Sequence, residues 1–491
     1  MRYRYQHWLN RRVGYEAMLS SVRRAVHVAA AEAIERADLA APGPTRSEAD
    51  LGSLLARGSP DLDPLRPRAG EIASHWEAGG TAHRSALFLL LHARDRERSG
   101  DYAKSMAACQ RAAALLGAAD PLASALAAYS HAAVLERTSR YPEALVMLSL
   151  ASKAANEAAG EDAARVTGQV VAARAFVHFR SGALDQAMQD ATAAAASARA
   201  AHSPADEAAA LNTIANVQAA RGDWKEAEAA FASAQRLFGE AGDLRRKAAT
   251  GNNLAEAWRV AGRLADAERG HSESLAIKEA IGDRYGVVAS LNNLSLLAEA
   301  RGDSERSETL LLSALSIISG VSDYGEALCL LNLGTLLSAQ DKHAEADDMF
   351  QRSLSLRTRI GDRPGMAFCL QGLASSLIQQ QRWAEALNHL VPCIAICTEL
   401  SLRSQLAYSL AIRAEAFRGL GRTEEAKRDS AEALQTASRS AEAALLHVAR
   451  LSYALCHTDR ARATDALTAA RESGNLAYER RAQEVLARLG A

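Results

Sequence analysis

Aromatic residues make up only 5% of this 491-residue chain, prolines number ten, and the longest purely apolar run, near Ala86–Leu91, falls far short of a bilayer span. Neither sign of charge dominates. The 57 basic and 58 acidic side chains leave a net −1, so no global field draws the chain to nucleic acid or to an anionic membrane. Six cysteines (Cys109, Cys329, Cys369, Cys393, Cys397 and Cys456) form no CxxC pair and no short-spaced framework, which points to reduced, buried thiols. No GxxxxGK[ST] loop is present, nor even one Gly-Lys dipeptide, and HExxH pairs and nucleophile elbows are missing as well. Each absence removes residues that a class of chemistry requires, so the chain is not expected to be an enzyme or to hold a cofactor or metal. The first residues, Met-Arg-Tyr-Arg-Tyr-Gln-His-Trp, are basic and aromatic with no apolar stretch behind them to act as a signal peptide. The expectation is a soluble, cytoplasmic protein.

What the chain does have is a beat. Gly222-Asp223-Trp224-Lys225-Glu226-Ala227 is answered by Gly262-Arg263-Leu264-Ala265-Asp266-Ala267 and Gly302-Asp303-Ser304-Glu305-Arg306-Ser307. Extended in both directions, the turn residue runs Gly100, Ser139, Gly182, Gly222, Gly262, Gly302, Asp341, Gln381 and Gly421, in steps of 39 to 43 residues. A period of this size means stacked helical hairpins. Seven residues before each turn stands a small residue (Ala215, Ala255, Ser295, Gly334, Ala374, Ala414), and five after it stands another (Ala227, Ala267, Ser307, Ala346, Ala386, Ala426). A small residue on each helix facing the other lets two antiparallel helices pack closely across a short turn. A second marker, Gly242-Asp243, Gly282-Asp283, Ser322-Asp323 and Gly361-Asp362, joins hairpin to hairpin. There glycine takes the left-handed conformation that ends one helix and aspartate caps the next, so these pairs read as punctuation.

With Ile214-Ala215, Gly222-x-Trp224-x-x-Ala227 and the late Ala234, and again with Gly100-Asp101-Tyr102 and Tyr141-Pro142-Glu143-Ala144, the chain resembles the tetratricopeptide repeat family in a form with about 40 residues per hairpin. The resemblance covers roughly residues 85–436. It implies an all-α, right-handed α-solenoid, a superhelix of about ten hairpins with a C-terminal capping helix, whose first helices line a concave groove that binds a protein or peptide.

The expected division is an N-terminal helical segment (1–41), a proline-rich, non-helical linker (42–70) holding Pro42, Pro44, Pro60, Pro64 and Pro67, the array (71–437), and a degenerate hairpin with the capping helix (438–491). Leu9, Val13, Met18, Leu19, Val22, Val26 and Ile34 are the expected apolar contacts of the first segment. Tyr3-x-Tyr5-x-His7-x-Leu9, Tyr15-Glu16-x-x-Leu19, Arg23-Arg24-x-x-His27 and His75-Trp76-x-Ala78-Gly79 resemble the junction between the NTPase module and the repeat array of bacterial signalling ATPases and adenylate-cyclase-type regulators. That resemblance implies a remnant of a winged-helix-like unit, and a signalling NTPase partner docking through residues 1–40.

Two constellations compete for chemistry. His389, Cys393 and Cys397 lie at i, i+4 and i+8 on one helical face, but Cys393 falls in the small-residue register of Ala234 and Ala314, and three ligands spread over two turns do not close around one ion. A packed core is the reading adopted. The amides are the more informative set. Asn253, Asn293 and Asn332 stand two residues before the small residue of their helices, and Asn212, Asn252 and Asn292 stand three before it. An amide both donates and accepts, so a ladder of them suits either the main chain of a bound segment or a tie to the adjacent repeat, and both readings stand. Asn216, Glu256, Arg259, Gln371 and Arg418 share the expected groove, with Arg180, Glu299, Gln379 and Glu415 along it. Mixed charge there favours a mixed polar peptide. The groove lacks the recurrent aromatics and basic series that RNA recognition needs. The function expected is a non-catalytic scaffold, with the sensor arm of a signalling ATPase or cyclase system as the alternative.

Overall fold

The computed structural model describes residues 20–38, 47–117, 120–400, 402–438, 443–472 and 476–490. The expected contacts at Leu9, Val13, Met18 and Leu19, the motifs at Tyr3–His7 and Tyr15–Leu19, and Pro42 and Pro44 lie outside them. Among the described residues there are 24 α-helices, one 3₁₀ helix and no strand. They form two compact units, Met1–Arg137 with Tyr141–Asp206, and Thr138–Arg140 with Glu207–Ala491.

The first unit contains α1 (Ser20–Asp38), α2 (Glu48–Arg57), a 3₁₀ helix (Pro60–Arg68), α3 (Ala69–Ala78), α4 (Ala82–Arg98), α5 (Tyr102–Leu116), α6 (Pro121–Arg137), α7 (Tyr141–Glu157), α8 (Glu161–Arg180) and α9 (Leu184–Ala200). From residue 48 on, the stretch expected to be a non-helical linker is mostly helical and packed, a correction with a clear cause. Ser47 caps α2 by accepting from the Asp50 amide at 3.1 Å, and Gly58, at φ +62°, closes its other end. Pro60 opens the 3₁₀ helix, where a missing N–H costs nothing, and Pro64 and Pro67 follow within it. Leu51, Leu55, Leu62 and Leu65 are each no more than 2% exposed. Arg94 donates to the Leu55 carbonyl at 2.7 Å, and Arg57 pairs with Asp162 at 2.9 Å, so α2 is tied to α4 and α8. At α1, Glu35 is buried between Arg84 (2.6 Å) and the Trp76 indole N–H (2.5 Å). A buried carboxylate is tolerable only when paired and hydrogen-bonded in this way. His27 and His75, from the two halves of the junction-like motif, meet Nδ1 to Nδ1 at 2.8 Å.

The second unit takes up α10 (Pro204–Arg221) from Glu207 onward and then α11 (Trp224–Glu240), α12 (Leu244–Val260), α13 (Leu264–Ala280), α14 (Arg284–Ala300), α15 (Ser304–Ile318), α16 (Asp323–Ala339), α17 (His343–Ile360), α18 (Arg363–Gln379), α19 (Trp383–Glu399), α20 (Arg403–Gly419), α21 (Thr423–Ala437), α22 (Ala443–His457), α23 (Arg460–Glu472) and α24 (Leu476–Gly490). From α12 on, each helix packs on its successor, and the first helices α12, α14, α16, α18, α20 and α22 also touch in series. This nearest-neighbour pattern is that of a helical-repeat stack, with the first helices as its closer layer. The turn positions share a conformation rather than a residue, since Gly222, Gly262, Gly302 and Gly421 have φ of +74° to +86° and Asp341 and Gln381 have +60°. The paired small residues are buried throughout. At Gly334 a Cβ would sit 2.9 Å from the Phe350 ring, so only glycine admits that neighbour.

Leu55→Ala tests the packed state of residues 48–68. Thermal or denaturant unfolding should show a loss of about 2–5 kcal/mol, as for a core leucine. A loose linker would give a change within about 0.5 kcal/mol.

Candidate functional site

The second helices of five successive hairpins bury the same two positions, which makes departures visible. One position holds Phe231, His271, Leu311, Phe350 and Leu390, and the other Phe238, Lys278, Ile318, Arg357 and Cys397. In α13 both are polar, and both are buried: His271 is 0% and Lys278 4% exposed. Arg357 answers its charge locally, pairing with buried Asp362. Around His271 and Lys278 the neighbours are polar too. His271 Nδ1 lies 3.1 Å from Asn252 Oδ1, the Lys278 ammonium donates to Ser290 Oγ at 2.9 Å, and Ser290 donates to Asn252 Oδ1 at 3.4 Å. Because Asn252 Oδ1 is an acceptor, the imidazole proton belongs on Nδ1. His271 Nε2 is buried and has no partner among the described residues. Burial pushes the His271 pKa down to about 4 and that of Lys278 down to about 8, the latter against the pull of Asp283.

Above this floor opens a concavity of about 330 Å³ between the first helices α12 and α14. Arg245, Ala249, Asn252, Asn253 and Glu256 line it from α12, Gly286, Ala289 and Asn293 from α14, Lys278 from the end of α13 and Asp283 from the junction. Asp283 caps α14 by accepting from the Gly286 amide at 3.2 Å and also stands 3.7 Å from Arg245. It is therefore more than punctuation. A Cβ at Gly286 would fall 2.6 Å from Asp283 Oδ2 and 2.9 Å from Lys278 Cδ, so glycine is what lets the lysine stem lie against the α14 backbone. The concavity thus offers an ammonium, a guanidinium, two carboxylates and three carboxamides. Among the described residues no group of three or more His, Cys, Asp or Glu could hold a metal ion.

The amides expected to form one ladder are split by depth. Asn253, Asn252 and Asn293 come together in the concavity with Glu256. Asn292 is 2% exposed and bonded inside the stack, donating to the Val288 carbonyl at 2.9 Å and accepting from Asn332 at 2.9 Å. Asn253 donates to Asn212 across the hairpin junction at 3.1 Å. Gln371 is buried and donates to Ser409 Oγ at 3.1 Å. Arg259 pairs with Glu256 at 2.6 Å, while Asn216 and Arg418 stand half-buried away from the concavity. Cys393 and Cys397 are fully buried, Cys393 lying 3.3 Å from the Ala367 carbonyl. His271, Lys278, Arg245 and Asp283 are absent from the expected set. The signal for the first two lay in the register, where an apolar position turns polar.

The tetratricopeptide repeat model matches residues 326–399. No curated protein matches the chain. Among solved structures it is similar to a Rap protein complexed with competence and sporulation factor, at 14% identity and a TM-score of 0.48, over 72% of this chain and 98% of that one. It is also similar to a signal transduction ATPase with numerous domains carrying a tetratricopeptide repeat sensor, from Pyrococcus horikoshii, at 14% identity and a TM-score of 0.47, over 90% and 74%. A third likeness is to the APC/C hetero-tetramer Cut9–Hcn1, at 13% identity and a TM-score of 0.40, over 90% and 99%. Among the described residues no helix is long and apolar enough to cross a membrane.

The buried imidazole makes stability depend on pH. Its folded pKa, about 4, lies below the unfolded value of 6.5. Its contribution is therefore full above pH 6.5 and is lost as pH falls toward 4, because the unfolded state binds the proton first. His271→Leu, copying Leu311 and Leu390, should raise the melting temperature, and by more at pH 5 than at pH 7.5. An equal shift at both pH values would contradict a buried neutral imidazole.

Proposed function

We propose that the protein is a non-catalytic scaffold that holds a protein or peptide segment along the first-helix face of its second unit, anchored in the concavity over Lys278. The observation that carries this reading is the polar floor. A lysine and a histidine occupy positions that apolar residues fill in most other hairpins, and desolvating them lowers stability. Local departures of this kind are retained where function needs them. The concavity also opens on the layer that presents the amides, so a bound main chain would meet Asn253 and Asn293 as both donors and acceptors. An anionic group on the segment would complete the partners of Lys278, while Glu256 and Asp283 oppose a uniformly acidic ligand. Asn292 and Gln371 act in this reading as ties between repeats, because burial and internal hydrogen bonds occupy them.

A second reading, a regulatory arm docking on a signalling NTPase, draws support from α1. Its inner face is fixed by Glu35, whereas Val22 and Val26, one turn apart, are 45% and 46% exposed. That pair is an apolar face available to a partner.

Lys278→Met separates function from stability. It should stabilise the fold by about 1–3 kcal/mol, since a desolvated charge with no buried ion-pair partner of its own among the described residues is replaced by hydrocarbon. It should also weaken peptides selected on the wild type from a random display library by about tenfold or more, as loss of a buried charge contact would. Asn293→Ala should weaken the same peptides with little change in melting temperature. Selected peptides that bind all three proteins equally would remove the concavity from the binding site.

A further inference from the structure

A second concavity, of about 500 Å³, lies on the other layer of the stack, between the second helices α15 and α17. Leu312, Leu333, Leu337 and Met349 form its apolar part, and Glu308, Glu345 and Asp348 its charged part. Among the described residues no basic side chain lines it. The preceding junctions show what this surface lacks. Glu268, one period before Glu308, is bonded by Arg301 and by Arg306, the latter at 2.6 Å. Glu228, two periods before, is bonded by Arg263 and by the Trp258 indole N–H at 3.0 Å. One period on from Arg301 and Arg306 stand Gln340 and Glu345. Glu308 therefore shares its concavity with a carboxylate in the register where its forerunner has a guanidinium. Among the described residues no ion pair reaches Glu308 or Glu345, and Lys342, in the register of Arg263, makes none with Glu308. Among the described residues Asp348 pairs only with Arg352 of its own helix, at 3.6 Å, with both side chains more than half exposed. The apolar part departs from register as well, since Leu312 is 48% exposed where Ala232, Ser272 and Gln351 stand in neighbouring repeats.

We infer that this groove docks a partner segment that presents arginine one turn from a large apolar side chain. The partner's guanidinium takes the place that Arg301 and Arg306 hold on Glu268, and its apolar side chain covers Leu312 and Met349. Like charges lining one groove without a cation favour a cationic partner, and a guanidinium can bridge two carboxylates with its fork of donors. The site is separate from the concavity over Lys278 and does not rest on it.

The test restores the missing arginine in cis. Glu345→Arg copies Arg306 of the preceding hairpin, so it should raise the melting temperature by pairing with Glu308. In parallel, a fluorescein-labelled helical peptide carrying Arg, Leu, Leu and Arg at i, i+3, i+4 and i+7 is titrated by anisotropy against the full chain. It should bind the wild type saturably, and about tenfold or more weaker to Glu345→Arg, because like charge now opposes it. Leu312→Ser, copying Ser272, should weaken the peptide without lowering the melting temperature, and a peptide with both arginines replaced by glutamine should bind about tenfold more weakly. Absence of saturable binding to the wild type, or binding indifferent to Glu345→Arg, overturns the inference. Self-association of the wild type that Glu345→Arg abolishes would assign the groove to a second copy of the chain and overturn it equally.

Discussion

Close approach of two helices at a pair of small residues is the contact on which the rest of the stack depends. Helices pack about 8–10 Å apart only where the facing side chains permit it. Ala215 with Ala227, Ala255 with Ala267 and Ala374 with Ala386 provide that permission, and all are essentially inaccessible to solvent. Once those pairs set the spacing, the flanking positions have a fixed volume to fill, and Phe231, Leu311, Phe350 and Leu390 fill it with hydrocarbon. A polar residue at such a position cannot escape to water. It must find partners inside the stack, open a path to a cavity, or neutralise.

His271 and Lys278 show two of these outcomes. The imidazole becomes neutral and uses one nitrogen, while the ammonium reaches Ser290 and the floor of the concavity. Arg357, in the register of Lys278, shows the first outcome, sealed against Asp362. The same frame explains the outer layer. Arginines close the carboxylates of two successive junctions, at Glu228 and Glu268, and at Glu308 the series stops. Regular packing turns each such break into a local, interpretable surface.

Much of the fold was legible because the repeat writes it many times. The left-handed turns hold even where glycine is replaced, since Asp341 and Gln381 keep positive φ in the same place. Residues 48–68 were misread because proline was counted as a breaker, whereas Pro60 opens a helix and the leucines around it supply the burial. The amides were seen but not their depth. Neighbouring offsets on one helix put Asn293 at the rim and Asn292 inside, a rotation that composition does not reveal. Lys278 was hidden for another reason. Charged residues near helix ends are ordinarily solvated, and only alignment against Phe238 and Ile318 shows this one at a core position.

The central claim is that Lys278 is a desolvated amine at the base of a binding surface. The most direct measurement is a pH titration of its side chain by NMR, with 13C-labelled lysine and Lys278→Met to assign the resonance. The account predicts a midpoint of about 8, moving upward when a bound segment brings an anionic group to the concavity. A midpoint near the ordinary value of about 10.4, unchanged by any selected peptide, would place the amine in solvent and contradict the claim.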